Sequence, residues 1–160
     1  MDTYLRRAEE KDIPSVVSLY SDAVGREGCT WNEYYPTRDD AENDLKNGCL
    51  YVYEYDGKTI GAISIVPENE LDEMECWKKN EDVREFARVT VSEEYSGHGF
   101  AGMMVGELFS VLSSQGCKSV HILAAKCNKA ALRTYEKLGF EFVGECFMYG
   151  NNYFAAEKIL

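Results

Sequence analysis

Proline occurs three times in this 160-residue chain and histidine twice, so neither a proline-rich linker nor a histidine-rich metal centre can be built from it. Basic residues are also in deficit, 17 Lys and Arg against 28 Asp and Glu, a formal charge of -11. Clustered cations are what phosphate backbones and anionic membranes attract, so nucleic acid and membrane surfaces are excluded as expected partners. No apolar run approaches the roughly 18 residues of a membrane span. The opening MDTYLRRAEEKD carries charge where a signal peptide needs an apolar core, which makes the cytoplasm the expected location. The six cysteines stand singly with no C-x-x-C pair; reduced thiols are expected, with no zinc site and no disulfide scaffold.

What is present is an ordinary globular composition, 45% hydrophobic and 12% aromatic, at a length that suits one domain over 1–160. TYLRRA reads as a strand, and Asp12 as an N-cap with Pro14 in the first helical turn. Thr37 and Asp40 suit a capping arrangement for a second short helix that Gly48 stops. LYVYEY and KTIGAISIV join through Asp56-Gly57, a strong hairpin signal, and REFARVTV is another strand. Between them PENELDEMECWKKNEDV is too charged for a strand and reads as a surface loop or short helix. Met104, Leu108, Val111 and Leu112 form the apolar stripe of a helix closed by Gly116. SVHILAA, the helix NKAALRTYEKLGF and the strands FEFVGECF and NNYFAAEKI complete the order β-α-α-β-β-β-α-β-α-β-β.

The hexapeptide GHGFAG, Gly97 to Gly102, has the spacing with which a backbone closes on a diphosphate. A nicotinamide dinucleotide would need an acidic residue about 20 positions further on for its ribose. None occurs between Glu107 and Glu136, and too little chain follows for the second half of a doubly wound fold. A different phosphate-bearing ligand is required.

VTVSEEYSGHGFAGMMV followed by NKAALRTYEKLGF resembles the GNAT superfamily of acetyl-CoA-dependent N-acetyltransferases, nearly end to end. The resemblance implies an α/β (α+β) fold, a mixed and mostly antiparallel sheet of about seven strands flanked by about four helices. It implies acetyl-CoA (coenzyme A) as cofactor, with the family's R/Q-x-x-G-x-G/A loop mapping onto Ser96, Gly97, His98, Gly99, Phe100 and Ala101, and with Gly102 closing the hexapeptide. Ser96 stands where the family carries a long Arg or Gln. Amides at a helix start cradle phosphate oxygens without needing a cationic protein. By the same resemblance, main-chain groups of Val89 and Val91 face the pantetheine arm, and Asn128, Ala131 and Tyr135 join the cofactor site; a helix places these three on one face.

The reaction so implied is acetyl transfer to a primary amine of a small molecule or peptide, by direct attack in a ternary complex. Glu85 stands where several family members carry a base, and alternation puts it on the face of Ala87, Val89 and Val91. An alkylammonium exceeds an ordinary carboxylate by about 6 pKa units, roughly 8 kcal/mol, so Glu85 needs burial or an ordered water. A phenol protonating a thiolate runs uphill by only about 2 kcal/mol, which suits Tyr135 as general acid. The acceptor pocket is expected from Trp31, Tyr34 and Tyr35, with Trp77, Tyr149 and Tyr153 as further aromatics suited to a cation. Glu68, Glu70, Asp72, Glu73 and Glu75 could attract such an acceptor or simply be solvated. His121 receives no role. A non-catalytic acyl-CoA sensor remains the alternative, and a homodimer through the late strands is compatible with the family.

Overall fold

The computed structural model describes residues 2–67, 69–78 and 81–160. The elements are β1 (Thr3–Arg7), α1 (Ile13–Ala23), α2 (Arg38–Lys46), β2 (Leu50–Tyr55), β3 (Lys58–Val66), β4 (Val83–Val91), α3 (Phe100–Ser114), β5 (Ser119–Ala125), α4 (Lys129–Lys137), β6 (Glu141–Met148) and β7 (Asn151–Ile159). They follow the order read from the sequence. The seven strands form one sheet, β1-β2-β3-β4-β5-β7-β6. The four helices complete the expected architecture.

Burial explains why β2 reads as an almost unbroken apolar run. Leu50 and Val52 pack with Ile13, Val16, Leu19 and Tyr20 of α1 on one face of the sheet. Tyr51 and Tyr53 pack on the other face with Phe86, Met104, Leu108, Leu112 and Tyr135 beneath α3 and α4. A strand covered on both sides has no polar face to alternate with.

Local chemistry behaves as the residues dictate, with one change. Asp56 and Gly57 both take positive φ, 50° and 77°, which a two-residue hairpin turn of the primed type requires. The backbone N–H of Thr37 donates to Asp40 Oδ2 at 2.7 Å at the start of α2. Asp12 takes the N-cap position of α1, but its side chain makes no capping bond there. A 3-10 turn over Glu10–Asp12 comes first, and the Asp12 carboxylate accepts from Glu9 N at 2.7 Å and from both terminal nitrogens of Arg6 at 2.8 and 2.9 Å.

Two irregularities in the centre of the sheet make the site. The β4–β5 pair is the parallel one, and its register runs only through Val83–Ser119, Arg84–Val120 and Glu85–His121 before the strands part. β5 continues against β7 as far as Ala125, while β4 continues against β3, so a wedge opens between them. Within β4, Arg88 has φ 53° and the β3 register shifts between Ala62 and Ser64. That bulge turns the strand over.

Candidate functional site

The bulge corrects the expectation from simple alternation. Glu85 pairs with Val66 and Ala87 with Ser64, whereas Val89 and Val91 pack into the core beneath α3, the same core that holds Phe86. Glu85 therefore shares a face with Ala87 but not with the two valines, because the extra residue resets the period of two. A left-handed arginine is held against an intrinsic penalty of order 1–3 kcal/mol. Its side chain is well anchored: Nε and Nη2 donate to the two oxygens of Asp44 on α2, each at 2.9 Å, and Nη1 donates to the Tyr35 hydroxyl at 3.1 Å. Ser64 Oγ adds a 2.6 Å bond to Asp44.

Beyond the wedge, a 3-10 turn over Glu93–Tyr95 leads into the glycine loop. Gly97 and Gly99 take φ 78° and 80°, and a Cβ added to either meets nothing within 4 Å. Backbone conformation, rather than crowding, is what demands glycine here. Gly99 caps α3 in the left-handed region, and the first-turn N–H groups of Phe100, Ala101 and Gly102 follow it without intrahelical partners, an arrangement suited to an anion. His98 is exposed and lies beside the Phe100 ring at 6.3 Å between centroids. Ser96 turns its hydroxyl back onto Glu93 O at 2.8 Å, so it does not extend toward a ligand.

On α4, Asn128 is the N-cap, its Oδ1 accepting from Ala131 N at 3.2 Å. Ala131 and Tyr135 pack into the core under α3, with the Tyr135 ring 6.0 Å from Phe86 and 5.4 Å from Phe140. Burial holds the Tyr135 phenol well above its ordinary pKa, so it stays protonated.

Glu85 sits at the vertex of the wedge, where the β4–β5 pairing ends. It is 8% exposed, and Asn69 Nδ2 donates to its Oε1 at 2.9 Å. Desolvation raises its pKa, the Asn69 bond opposing and the Asp72 charge adding to the rise. The backbone N–H of the same Asn69 holds Asp72 Oδ2 at 2.8 Å. His121 on β5 is buried against the Trp77 ring, stacked at 4.1 Å. Its Nε2 lies 2.9 Å from Asp72 Oδ1, and its Nδ1 has no hydrogen-bond partner among the described residues. Burial lowers the His121 pKa while Asp72 pulls it the other way. Donor atoms of Asp72, Glu85 and His121 fall within 4.8 Å of one another, a grouping able to hold a proton or a cation. No sequence signal brings His121 into this group, because the three residues come from separate segments with no shared spacing.

The predicted acceptor residues divide. Tyr35 reaches Arg88, and Trp31 packs edge-on against Tyr20 at 5.7 Å, both on the α1–α2 face. Tyr34 is 79% exposed beside them. Trp77 instead covers His121 and donates from Nε1 to Leu71 O at 2.7 Å, while Tyr149 stands exposed on the β6–β7 turn and Tyr153 pairs with Ala125 along β7. Of the acidic run, Glu68 lies outside the described residues. Glu70, Glu73 and Glu75 are exposed and Asp72 points inward.

The connection after α1 supplies two contacts the sequence did not announce. Gly28, at φ 80°, comes so close to the β5–α4 junction that a Cβ would stand 2.8 Å from Asn128 Cα and 2.9 Å from Cys127 O. Two residues earlier, Arg26 Nη1 donates to Val91 O at 2.8 Å. One short loop thus touches both lips of the wedge.

A family model described as the acetyltransferase (GNAT) family matches residues 14–140, and the chain belongs to that family. It is 24% identical over 96 residues to the Probable N-acetyltransferase camello of Xenopus tropicalis, a stretch covering 60% of this chain and 40% of that protein. The match therefore spans less than half the length of that relative. In fold it is similar to a GNAT-family acetyltransferase from Streptococcus agalactiae, with a TM-score of 0.86 at 21% identity over 99% of this chain and 95% of that one. It is similar also to yncA from Salmonella typhimurium, solved with acetyl-CoA, with a TM-score of 0.76 at 19% identity over 100% and 95% of the two chains. No helix among the described residues is long and apolar enough to cross a membrane.

Proposed function

We propose that the chain is one acetyltransferase domain, acting in the cytoplasm, that moves an acetyl group from acetyl-CoA to a primary amine of a small molecule or peptide in a ternary complex. The observation that carries this reading is the wedge between β4 and β5, which has a buried carboxylate at its vertex and the glycine-led N-terminus of α3 at its mouth. The bound thioester supplies an activated acetyl carbon. The loop Ser96–Gly102 holds the diphosphate through its N–H groups, and main-chain groups of Val89 and Val91 align the arm along the open side of β4. Asn128 and Ala131 border the same arm from α4.

Glu85 receives the proton of the attacking amine, directly or through water. Its raised pKa narrows the 6-unit gap that an ordinary carboxylate would face. Tyr135 gives its proton to the leaving thiolate; its burial keeps it in the form that can donate, and makes the donation steeper than for a solvated phenol. Trp31, Tyr34 and Tyr35 line the approach of the acceptor on the α1–α2 face, where an aromatic surface favours a cation. A pairing of two copies through the late strands is compatible with this arrangement.

The test is thiol release from acetyl-CoA across a panel of polyamines, amino acids, aminoglycosides and peptides, with calorimetric titration of acetyl-CoA alongside. Turnover on at least one amine, reduced in Glu85→Gln, is the expected result. The reversal of Ser96 onto Glu93 favours the sensor reading in one respect, a weakened grip on the coenzyme. Acetyl-CoA affinity with no thiol release on any amine would establish that alternative.

A further inference from the structure

The diphosphate loop is poor in positive charge. From Ser92 to Gly102 it contains Glu93 and Glu94 and no Lys or Arg, and Ser96 is bonded to its own chain. Lys58 lies near but is engaged with Glu94 at 3.3 Å and stands over the Tyr95 ring. Helix N-terminal amides alone would then face a doubly charged group.

Arg26 reaches this place from the other side of the sheet. Its Nη1 is fixed on Val91 O at 2.8 Å, and its Nε and Nη2 are buried with no hydrogen-bond partner among the described residues. The nearest carboxylate, Glu93 Oε2, is 4.0 Å from Nε and its side chain is 77% exposed, so it does not satisfy the pair. Nε and Nη2 form one edge of the guanidinium, two parallel donors that match two oxygens of a single anion. Arg88 uses the same edge for both oxygens of Asp44. On Arg26 that edge is buried and has no hydrogen-bond acceptor among the described residues. Buried donors without acceptors are destabilising, which marks the edge as built for an oxyanion absent from the chain itself.

Resting on the acetyl-CoA reading above, we propose that Arg26 is a coenzyme-binding residue whose Nε–Nη2 edge grips the diphosphate of coenzyme A, supplying from the α1–α2 connection the charge that Ser96 does not. The anchor on Val91 O places the guanidinium at the end of β4, five residues before the glycine loop begins at Ser96. Gly28 fastens the same connection to Asn128 on the opposite lip, so its course is set independently of the ligand. An acceptor carboxylate has the same two-oxygen chemistry, but the position beside Val91 and Glu93 favours the coenzyme.

Calorimetry with coenzyme A, and kcat/KM with acetyl-CoA against acetyl-pantetheine, which lacks the diphosphate, test this on Arg26→Gln and Arg26→Lys. Coenzyme A affinity should fall on the order of tenfold or more in Arg26→Gln, and less in Arg26→Lys, which keeps the charge and loses the fork. Acetyl-pantetheine turnover should fall much less than acetyl-CoA turnover in both, because that thioester lacks the diphosphate. An equal loss on both thioesters would make Arg26 merely structural, and a loss confined to KM for a carboxylate-bearing amine would assign the edge to the acceptor; either overturns the proposal. Wild-type protein with no affinity for coenzyme A would instead overturn the acetyl-CoA reading.

Discussion

Arg88 and Asp44 are joined by two parallel hydrogen bonds of 2.9 Å that tie the bulge of β4 to α2, with both side chains largely shielded from water. Removing one partner leaves a buried, uncompensated charge. Asp44→Ala should therefore destabilise the fold by about 3–5 kcal/mol in chemical denaturation. Turnover should fall with it, because the bulge sets where Glu85 and the valines point. A loss below about 1 kcal/mol would show that the bulge holds without this pair.

Glu85 links function and stability in opposite directions. Its folded pKa is raised, so the folded state binds the proton more tightly than the unfolded chain does, and stability declines as pH rises from the ordinary 4.5 through the folded value. Glu85→Gln should abolish that decline and leave the protein as stable as wild type, or more so, at neutral pH. Its kcat should drop by roughly 10²–10⁴. Thermal midpoints and rates across pH check both.

Tyr135→Phe keeps the ring that packs on Phe86 and Phe140 and removes only the hydroxyl. Stability should change by less than about 1.5 kcal/mol. If the phenol is the proton donor, kcat should fall by roughly 10²-fold or more with little change in KM for acetyl-CoA. Unchanged turnover would remove Tyr135 from the mechanism.

Gly28 and Gly97 share a left-handed backbone but not an environment. Alanine at 97 meets open space and should destabilise by about 1 kcal/mol, its main effect being a higher KM for acetyl-CoA. Alanine at 28 drives a Cβ into the Asn128 backbone and should cost about 1–3 kcal/mol. Denaturation of the two variants side by side separates strain from crowding.

Acid should loosen the N-terminal corner. Arg6 bonds both Asp12 and Glu54 and holds each carboxyl below its ordinary pKa. Depressed carboxylates stabilise the fold above their unfolded values of 3.8 and 4.5, and this is lost as pH falls through the folded values. The stability difference between wild type and Asp12→Asn should shrink progressively over that acid window, measured by urea titration at successive pH.

Much of the fold is legible in the sequence because its signals are local. Asp56-Gly57, the capping pair at Thr37 and Asp40, and the apolar stripe of α3 each need only their neighbours. The glycine loop and the Asn128-to-Tyr135 face are legible for the same reason. What escaped depends on distance. Nothing in REFARVTV marks Arg88 as the residue that takes positive φ; its reason is Asp44, on another element. Asp72, Glu85 and His121 converge from three segments, and Gly28 meets Asn128 across 100 positions. Asp12 keeps the N-cap position, but its carboxylate is drawn to Arg6, a stronger, charged partner.

The brevity of the β4–β5 register leaves amides and carbonyls of β4 beyond Glu85 without a neighbouring strand on that edge. A linear guest bearing amide groups can act there as a surrogate strand, so saturation with coenzyme A should slow deuterium uptake at Val89 and Val91 more than in β2 or β3, which have a neighbouring strand on both edges.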